Sequence, residues 1–433
     1  MAREHASEAA VKRALIALGI IVLAVLCTAA ASVAMLFASL RAAPGEWSHA
    51  VPVGPWRVRF SVPAVLRLAT HPLGLRALAG RSLHTAHGTL RFHQGADESS
   101  IRVVCDPCTP HAALLGSVPL RLQHTELRLT RVGQNHLYGE ILAGAVRAMW
   151  KLQIEKRGID LRMQVPDAPI ADFYALVAAE LPELARAQIE GRAGAELSLA
   201  LPSGVWRVLP RIEGFRVSGL GTEALLGATP VLACARPTRQ ADAAAPFGAW
   251  LPRAVVAAED QRFHEHTGLD LVEMRAAWRS GADVNPHPRG ASTLSQQLAK
   301  LLYTGDERSA VRKLREALYA VEMDRVLGKA RVLQLYLTVA PWGGGHCGAQ
   351  AAALQLLQKR ASALTPIEAA WLASLLRNPE AELARAAVNG SADKARVAHI
   401  IEAMRPLARA RREELQEQLV DWAPPATGAF AAR

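Results

Sequence analysis

The sequence predicts an α+β multidomain chain, with an N-terminal transmembrane helix, a β-rich middle module and an all-α C-terminal domain. Three observations predict it. An unbroken apolar run fills residues 14–40, apolar and polar residues alternate in short stretches between 45 and 235, and helical periodicity dominates from 251 almost to the end. A length of 433 residues accommodates two or three folded units. With 51% hydrophobic and 21% charged residues, a large core is available and global disorder is excluded. Five cysteines exclude a disulfide-dense miniature scaffold. The net charge of +11 is dispersed, Lys and Arg exceeding Asp and Glu by 2 in residues 1–44, by 4 in 45–235 and by 5 in 236–433. A nucleic-acid partner calls for a concentrated basic face with stacking aromatics, and only 5% of the chain is aromatic, so that class is set aside.

The first element is the apolar run. From Ala14 to Leu40 no Asp, Glu, Lys, Arg or His interrupts it. A span needs about 20 residues, whereas the apolar part of a cleaved signal peptide is about 7–15. Lys12 and Arg13 immediately precede the run. The positive-inside rule then makes residues 1–13 cytoplasmic and 14–40 a single-pass signal anchor, with the bulk of the chain on the outer side.

Residues 45–235 follow as a β-rich module. Alternation marks Trp56–Phe60, Thr89–His93, Leu120–Leu122, Leu127–Leu129 and Ile159–Met163 as half-buried antiparallel strands. The pattern turns helical from Ala171 to Gln188, alternates again over Ala195–Leu201, and closes with glycine-bounded strands in Pro210–Leu220. The region is faintly similar to the repeats of AsmA-like envelope proteins. Cys105 and Cys108 form one CxxC pair with no second Cys/His pair suitably spaced, which argues for a local disulfide rather than zinc. Residues 236–250 are an Ala- and Pro-rich linker.

The helical domain is expected at 251–405, with 406–433 as a C-terminal tail. Residues 251–268 read as a helix on which Glu259 and Phe263 share a face while Asp260 points elsewhere. In the stretch 289–300, Thr293 and Gln296 have capping-box spacing. That arrangement predicts exposed helix N-terminal amides beside Ser292, an anion site, with Gln296 and Lys300 projecting together one turn apart. Arg312 and Glu316 lie at i,i+4 on one helical face.

Taken in order, Glu259-Asp-x-x-Phe-x-x-His-x-Gly268, Gly290-x-Ser-Thr-Leu-Ser-Gln-Gln-Leu-x-Lys300, Arg312-Lys-x-x-Glu316 and Lys329–Leu337 strongly resemble the peptidoglycan glycosyltransferases. These are the transglycosylases, glycosyltransferase family 51, here of the monofunctional type. Val339-Ala-Pro-Trp-Gly343 is similar to a segment of those members, while Leu301, Gln334, Thr338 and Cys347 depart from the usual residues. The resemblance implies a lysozyme-like helical fold for 251–405 and polymerisation of lipid II with release of polyprenyl pyrophosphate. It also implies a bacterial inner-membrane protein, largely periplasmic, whose partners are lipid II, the polyprenyl-pyrophosphate-linked glycan, the membrane and cell-wall synthesis proteins.

By match to the motifs, Glu259 is the general base that takes the proton of the attacking hydroxyl. Glu316 is the second catalytic glutamate, open to serving a divalent metal (Mg or Mn). Lys300, Arg312 and Lys313 are the cations for the pyrophosphate, with Ser292, Thr293, Gln296 and Gln297 as further substrate contacts. His266 is expected to pack rather than carry protons. Two other readings stay open: a non-catalytic envelope scaffold with a degenerate transferase fold binding lipid or glycan, and a lytic transglycosylase. The pyrophosphate-suited cations argue against the lytic reading, since glycan cleavage has no such leaving group.

Overall fold

The computed structural model describes residues 27–28, 31, 34–35, 37–53, 56–109, 122, 124–227, 247–280, 292–307, 309–389 and 393–425. The expected span at 14–40 and the strand at Leu120–Leu122 lie largely outside the described residues, as does the linker up to residue 246. Among the described residues no helix is long and apolar enough to cross a membrane.

The first strands, β1 (Ser48–Val53) and β2 (Trp56–Ser61), pair as a small antiparallel sheet. Two helices follow, α1 (Val62–Ala69) and α2 (Pro72–Leu78). The Ser61 hydroxyl caps α1 by accepting from the Ala64 amide at 3.2 Å, and Pro63 suits the first turn. Nine strands then pair antiparallel in chain order: β3 (Ser82–Thr85), β4 (Gly88–Gln94), β5 (Ser100–Cys108), β6 (Thr125–Val132), β7 (His136–Ala143), β8 (Val146–Ile154), β9 (Ile159–Pro169), β10 (Gln188–Leu201) and β11 (Val205–Ser218).

Alternation gives the sheet two faces. In β8, Val146, Ala148, Trp150 and Ile154 are buried while Arg147, Met149 and Lys151 are exposed. The apolar face is covered by α1 and α2, Leu66 packing on Leu137, Trp150 and Ile154, and Leu75 on Ile101 and Val103. Cys105 and Cys108 are joined by a disulfide at the end of β5. The helical stretch expected at Ala171–Gln188 is shorter than its periodicity implied. Only α3 (Ile170–Ala175) is α-helical, two 3-10 turns follow, and Gln188 already opens β10. The α-helix is already over at Ala175, and Pro182, which lacks an amide hydrogen and holds Leu181 outside the helical region, keeps it from resuming through Gln188.

The C-terminal part contains α4 (Trp250–Glu259), α5 (Leu271–Ser280), α6 (Leu294–Ala299), a π-helical turn (Lys300–Thr304), α7 (Ala310–Val339), α8 (Ala349–Leu357), α9 (Pro366–Ser374), α10 (Pro379–Asn389), α11 (Lys394–Ala403) and α12 (Arg409–Asp421). Every residue of α9 is buried, so it is the central helix of this core. The helix expected over 251–268 ends at Glu259, and Phe263 is fully buried in the turns beyond it. Gly328, at φ +72°, breaks α7 in two, a conformation that side chains rarely adopt. The expected tail is a correction as well. Leu415 and Leu419 of α12 are buried in the same core, and Trp422 lies 6.0 Å from Trp371. Two inward leucines among charged neighbours are too sparse to signal a packed helix in the sequence.

The β-module and the helical part share a single core. Tyr174, Val177, Leu181, Val217, Leu220 and Leu225 belong to the cluster that contains Leu318, Val321 and Met323 of α7. Polar clamps reinforce it along the same side of α7. The Tyr174 hydroxyl donates to the Leu314 carbonyl at 3.2 Å, and Arg325 donates to the Val217 carbonyl at 3.2 Å. The Leu220 amide donates to buried Glu322 at 2.9 Å. Arg315 donates to Glu183 at 2.8 and 2.5 Å, the Glu183 side chain being only 4% exposed. Removing one partner of a buried ion pair strands the other charge. Arg315→Ala should therefore cost about 3 kcal/mol or more, read as a lower melting temperature of the full chain. An unchanged melting temperature would mean that this clamp contributes nothing to stability.

Candidate functional site

The site is assembled around α6, the six-residue helix between the two glutamates. Glu259 is the last residue of α4, its side chain 13% exposed. Its Oε2 accepts from the Gln297 amide at 3.1 Å, and its Oε1 accepts from Arg396 of α11 at 3.3 Å. Gln297 is itself oriented, because its Oε1 accepts from the Tyr336 hydroxyl at 2.8 Å. Burial raises the Glu259 carboxyl above its ordinary range, while Gln297 and Arg396 pull in the opposite direction. The result is a carboxylate with extra basicity and a fixed direction, which suits proton abstraction. Tyr336 keeps its proton, because burial and the Glu259 charge both raise it.

A cationic group also adjoins α6, with Lys300 directly after its last residue and Lys313 reaching Ser292 just before its first turn. Ser309 caps α7, its hydroxyl accepting from the Arg312 amide at 3.1 Å, and so starts the turn that carries Arg312, Lys313 and Glu316. Glu316 is 1% exposed; Arg312 contacts its Oε1 and Lys313 Nζ lies 2.7 Å from its Oε2. Lys313 also donates to the Ser292 hydroxyl at 2.9 Å. Burial, then the neighbouring Arg312 and Lys300 charges, push the Lys313 ammonium down to about 8. Lys300 opens the π-helical turn and pairs with exposed Asp306 at 2.6 Å. Arg312 and Lys313 thus flank the Glu316 carboxylate, and Lys300 is close enough to act on Lys313, leaving positive charge for an anionic group.

The segment that seats α6 differs from expectation. Thr293 and Gln296 form the capping box: the Gln296 amide donates to the Thr293 hydroxyl at 3.2 Å, and the Thr293 amide donates to Gln296 Oε1 at 3.0 Å. Both residues are buried, at 2% and 7% exposure. Of the amides expected to be free beside Ser292, that of Leu294 is taken, since Asp260 Oδ2 accepts from it at 2.9 Å. Thr293 and Gln296 therefore position α6 rather than line a cleft, and Gln296 does not project beside Lys300. It is Gln297 that reaches the base.

Asp260 is no ordinary surface charge. It also meets His266 Nε2 at 3.0 Å, while His266 Nδ1 lies 3.3 Å from Lys329 Nζ. Lys329 sits over the Phe263 ring and pairs with Asp324, which accepts from Ser295 at 2.5 Å. One buried network thus ties the first, second and fourth motifs together. Asp260→Asn should cost about 1–3 kcal/mol, since an amide replaces one of two acceptor oxygens facing buried donors. Urea unfolding of the variant checks this, and an unchanged midpoint would reduce Asp260 to a bystander.

Neither acidic group offers a ready metal site. Both Glu316 oxygens face cations, and a divalent ion would add to an already positive cluster. Asp260, His266 and Asp270 bring ligand atoms within 4.8 Å of one another. Asp270 is, however, spent on Arg262 and the Val272 and Glu273 amides, as Asp260 is on Leu294 and His266. The two functional contacts that the sequence reading missed are Arg396 and Tyr336. Tyr336 lay within the fourth motif, but nothing local links Arg396 to a glutamate 137 residues away.

A buried, oriented carboxylate and a cationic group, each in contact with α6 or its flanking residues, suit a group-transfer site with an anionic leaving group. Residues 233–405 match the family described as Transglycosylase. The chain is 43% identical over 129 residues to the biosynthetic peptidoglycan transglycosylase of Nitrosomonas eutropha, covering 30% of this chain and 53% of that protein. The namesake from Rhodopseudomonas palustris is 44% identical over 136 residues, covering 31% and 60%, and that from Shigella boydii serotype 4 is 45% identical over 130, covering 30% and 54%. The chain spans a little over half the length of these curated relatives. Residues 233–405 thus match the transglycosylase family, and the chain is similar to the biosynthetic enzymes just named.

Proposed function

We propose that the protein is a monofunctional peptidoglycan glycosyltransferase that polymerises lipid II into glycan strands and releases polyprenyl pyrophosphate. The observation that carries this reading is the presence, in one domain, of buried Glu259 held by Gln297 and Arg396 and of a cationic group in which Arg312 and Lys313 hold Glu316 and Lys300 acts on Lys313. The 4-hydroxyl of the acceptor sugar attacks the anomeric carbon of the polyprenyl-linked glycan. Glu259 accepts the hydroxyl proton as the new glycosidic bond forms, and the bond to the pyrophosphate oxygen breaks. The departing charge falls on Lys300, Arg312 and Lys313, with Glu316 fixing the last two in place. In this reading the fixed cations do what a divalent metal does elsewhere.

The apolar run at 14–40 supports a membrane anchor, which would hold the helical domain beside a lipid-linked substrate, with the bulk of the chain periplasmic. A periplasm-only reporter fused after Arg433 should then give signal, and silence would reverse the orientation. The decisive assay is incubation of the purified full chain with lipid II. Polymer is the expected product; binding without polymer would replace the enzyme by a lipid-binding scaffold.

A further inference from the structure

The exposed face of the nine-stranded sheet bears a feature that the transfer reaction does not use. Across six consecutive strands the pairing registers Thr130 with Tyr138, Tyr138 with Lys151, Lys151 with Arg162, Arg162 with Ser198, and Ser198 with Arg207. At about 4.8 Å per strand this row runs about 24 Å. All six side chains line a trough of about 880 Å³.

Two like charges directly opposite in a sheet are destabilising. Elsewhere on this face acids compensate such a pair: Arg102 and Arg128 stand directly opposite and Glu126 serves both, while Glu140 serves Arg128 and Arg147. Among the described residues Lys151, Arg162 and Arg207 form no ion pair, and the nearby Glu196 is engaged by Arg211. Tyr138 and Met149, 46% and 42% exposed, add flat apolar surface beside these cations. Arg207 and Leu209 of β11 lead directly into Ile212 and Phe215, which pack into the core of the helical part. The trough and the transferase domain are therefore joined by one continuous strand.

The geometry points to a binding track for an elongated anionic glycan, namely a peptide-bearing strand of the class the proposed reaction makes. This rests on the polymerase reading for the identity of the strand. A row of about 24 Å is longer than a single phosphate or headgroup, and a trough is shaped for a strand rather than for a flat bilayer. Stem-peptide carboxylates meet Lys151, Arg162 and Arg207, while Tyr138 offers its ring to a sugar face.

The test measures binding of the full chain to isolated, uncross-linked, peptide-bearing glycan strands, to the same strands stripped of peptide, and to phosphatidylglycerol vesicles. Lys151→Glu/Arg162→Glu/Arg207→Glu should weaken strand binding by about tenfold or more. Lys151→Gln/Arg162→Gln, which reverses no charge, should weaken it less. Peptide-free strands should bind poorly, and the rate of a single coupling should be unchanged. Equal binding by wild type and the triple variant, no strand binding by wild type, or charge-dependent binding to vesicles in place of strands would each overturn the proposal. Because the strands are preformed, the readout is independent of polymerisation. A wild type that binds strands but makes none keeps the track and loses the polymerase reading, and the reverse result does the opposite.

Discussion

Replacing Glu259 by Gln is expected to abolish polymer formation from lipid II. The amide preserves size and keeps one acceptor oxygen for Arg396 or Gln297, so it gives up one of the two hydrogen bonds while α4 and its packing should persist. What disappears is the basic oxygen. General-base catalysis contributes about 10²–10⁴-fold, so turnover should fall by at least about a hundredfold while lipid II binding survives. The acid side of the wild-type pH profile follows from the same group. Burial raises the Glu259 carboxyl, so its base form is present at higher pH and is lost, on acidification, before an ordinary carboxylate would be protonated. Arg396→Ala removes an opposing influence and should move that limb to still higher pH. The measurements are initial rates against pH for wild type and both variants, with folding matched by circular dichroism. Wild-type rates from Glu259→Gln would mean that another group is the base.

Lys313→Ala is expected to lower kcat/KM by about 10²–10³-fold, the usual cost of deleting a preorganised electrostatic contact at a charge that develops in the transition state. The ammonium is held between Glu316 and Ser292, so it is already in place when the pyrophosphate departs. Its lowered value gives the sign of the alkaline limb. A lysine pushed down to about 8 is charged below that pH and neutral above it, so kcat/KM of the free enzyme should decline as pH rises through about 8. Lys313→Arg keeps its charge throughout and should remove the decline, at some cost in geometry. An alkaline limb that persists unchanged in Lys313→Arg would assign it to another group.

Much of this site was legible locally. The capping box of Thr293 and Gln296, the i,i+4 pair of Arg312 and Glu316 and the alternation in β2, β4, β6 and β9 all depend on spacings of two to four residues. Such spacings are set by helix and strand geometry before any tertiary contact exists. The same local reading misjudged Asp260. As part of a helix it was expected only to point away from Glu259 and Phe263, but the helix stops at Glu259 and the chain turns Asp260 onto the start of α6.

By itself, then, the sequence determined the strand-rich and helical halves, the transglycosylase motifs and the identity of the carboxylates and cations. Only the tertiary structure decided which of them meet. Arg396 reaches Glu259 across 137 residues, Glu183 pairs with Arg315 across 132, and Leu220 finds Glu322 across 102. Those partners are chosen by how elements pack, since burial makes an unpaired charge or amide costly and selects the arrangement that satisfies it. The merging of the β-module with the helical core has the same cause. Val217, Leu220 and Leu225 and the facing side of α7 each carry apolar surface that neither segment buries alone, and no short-range pattern in either states that they belong together.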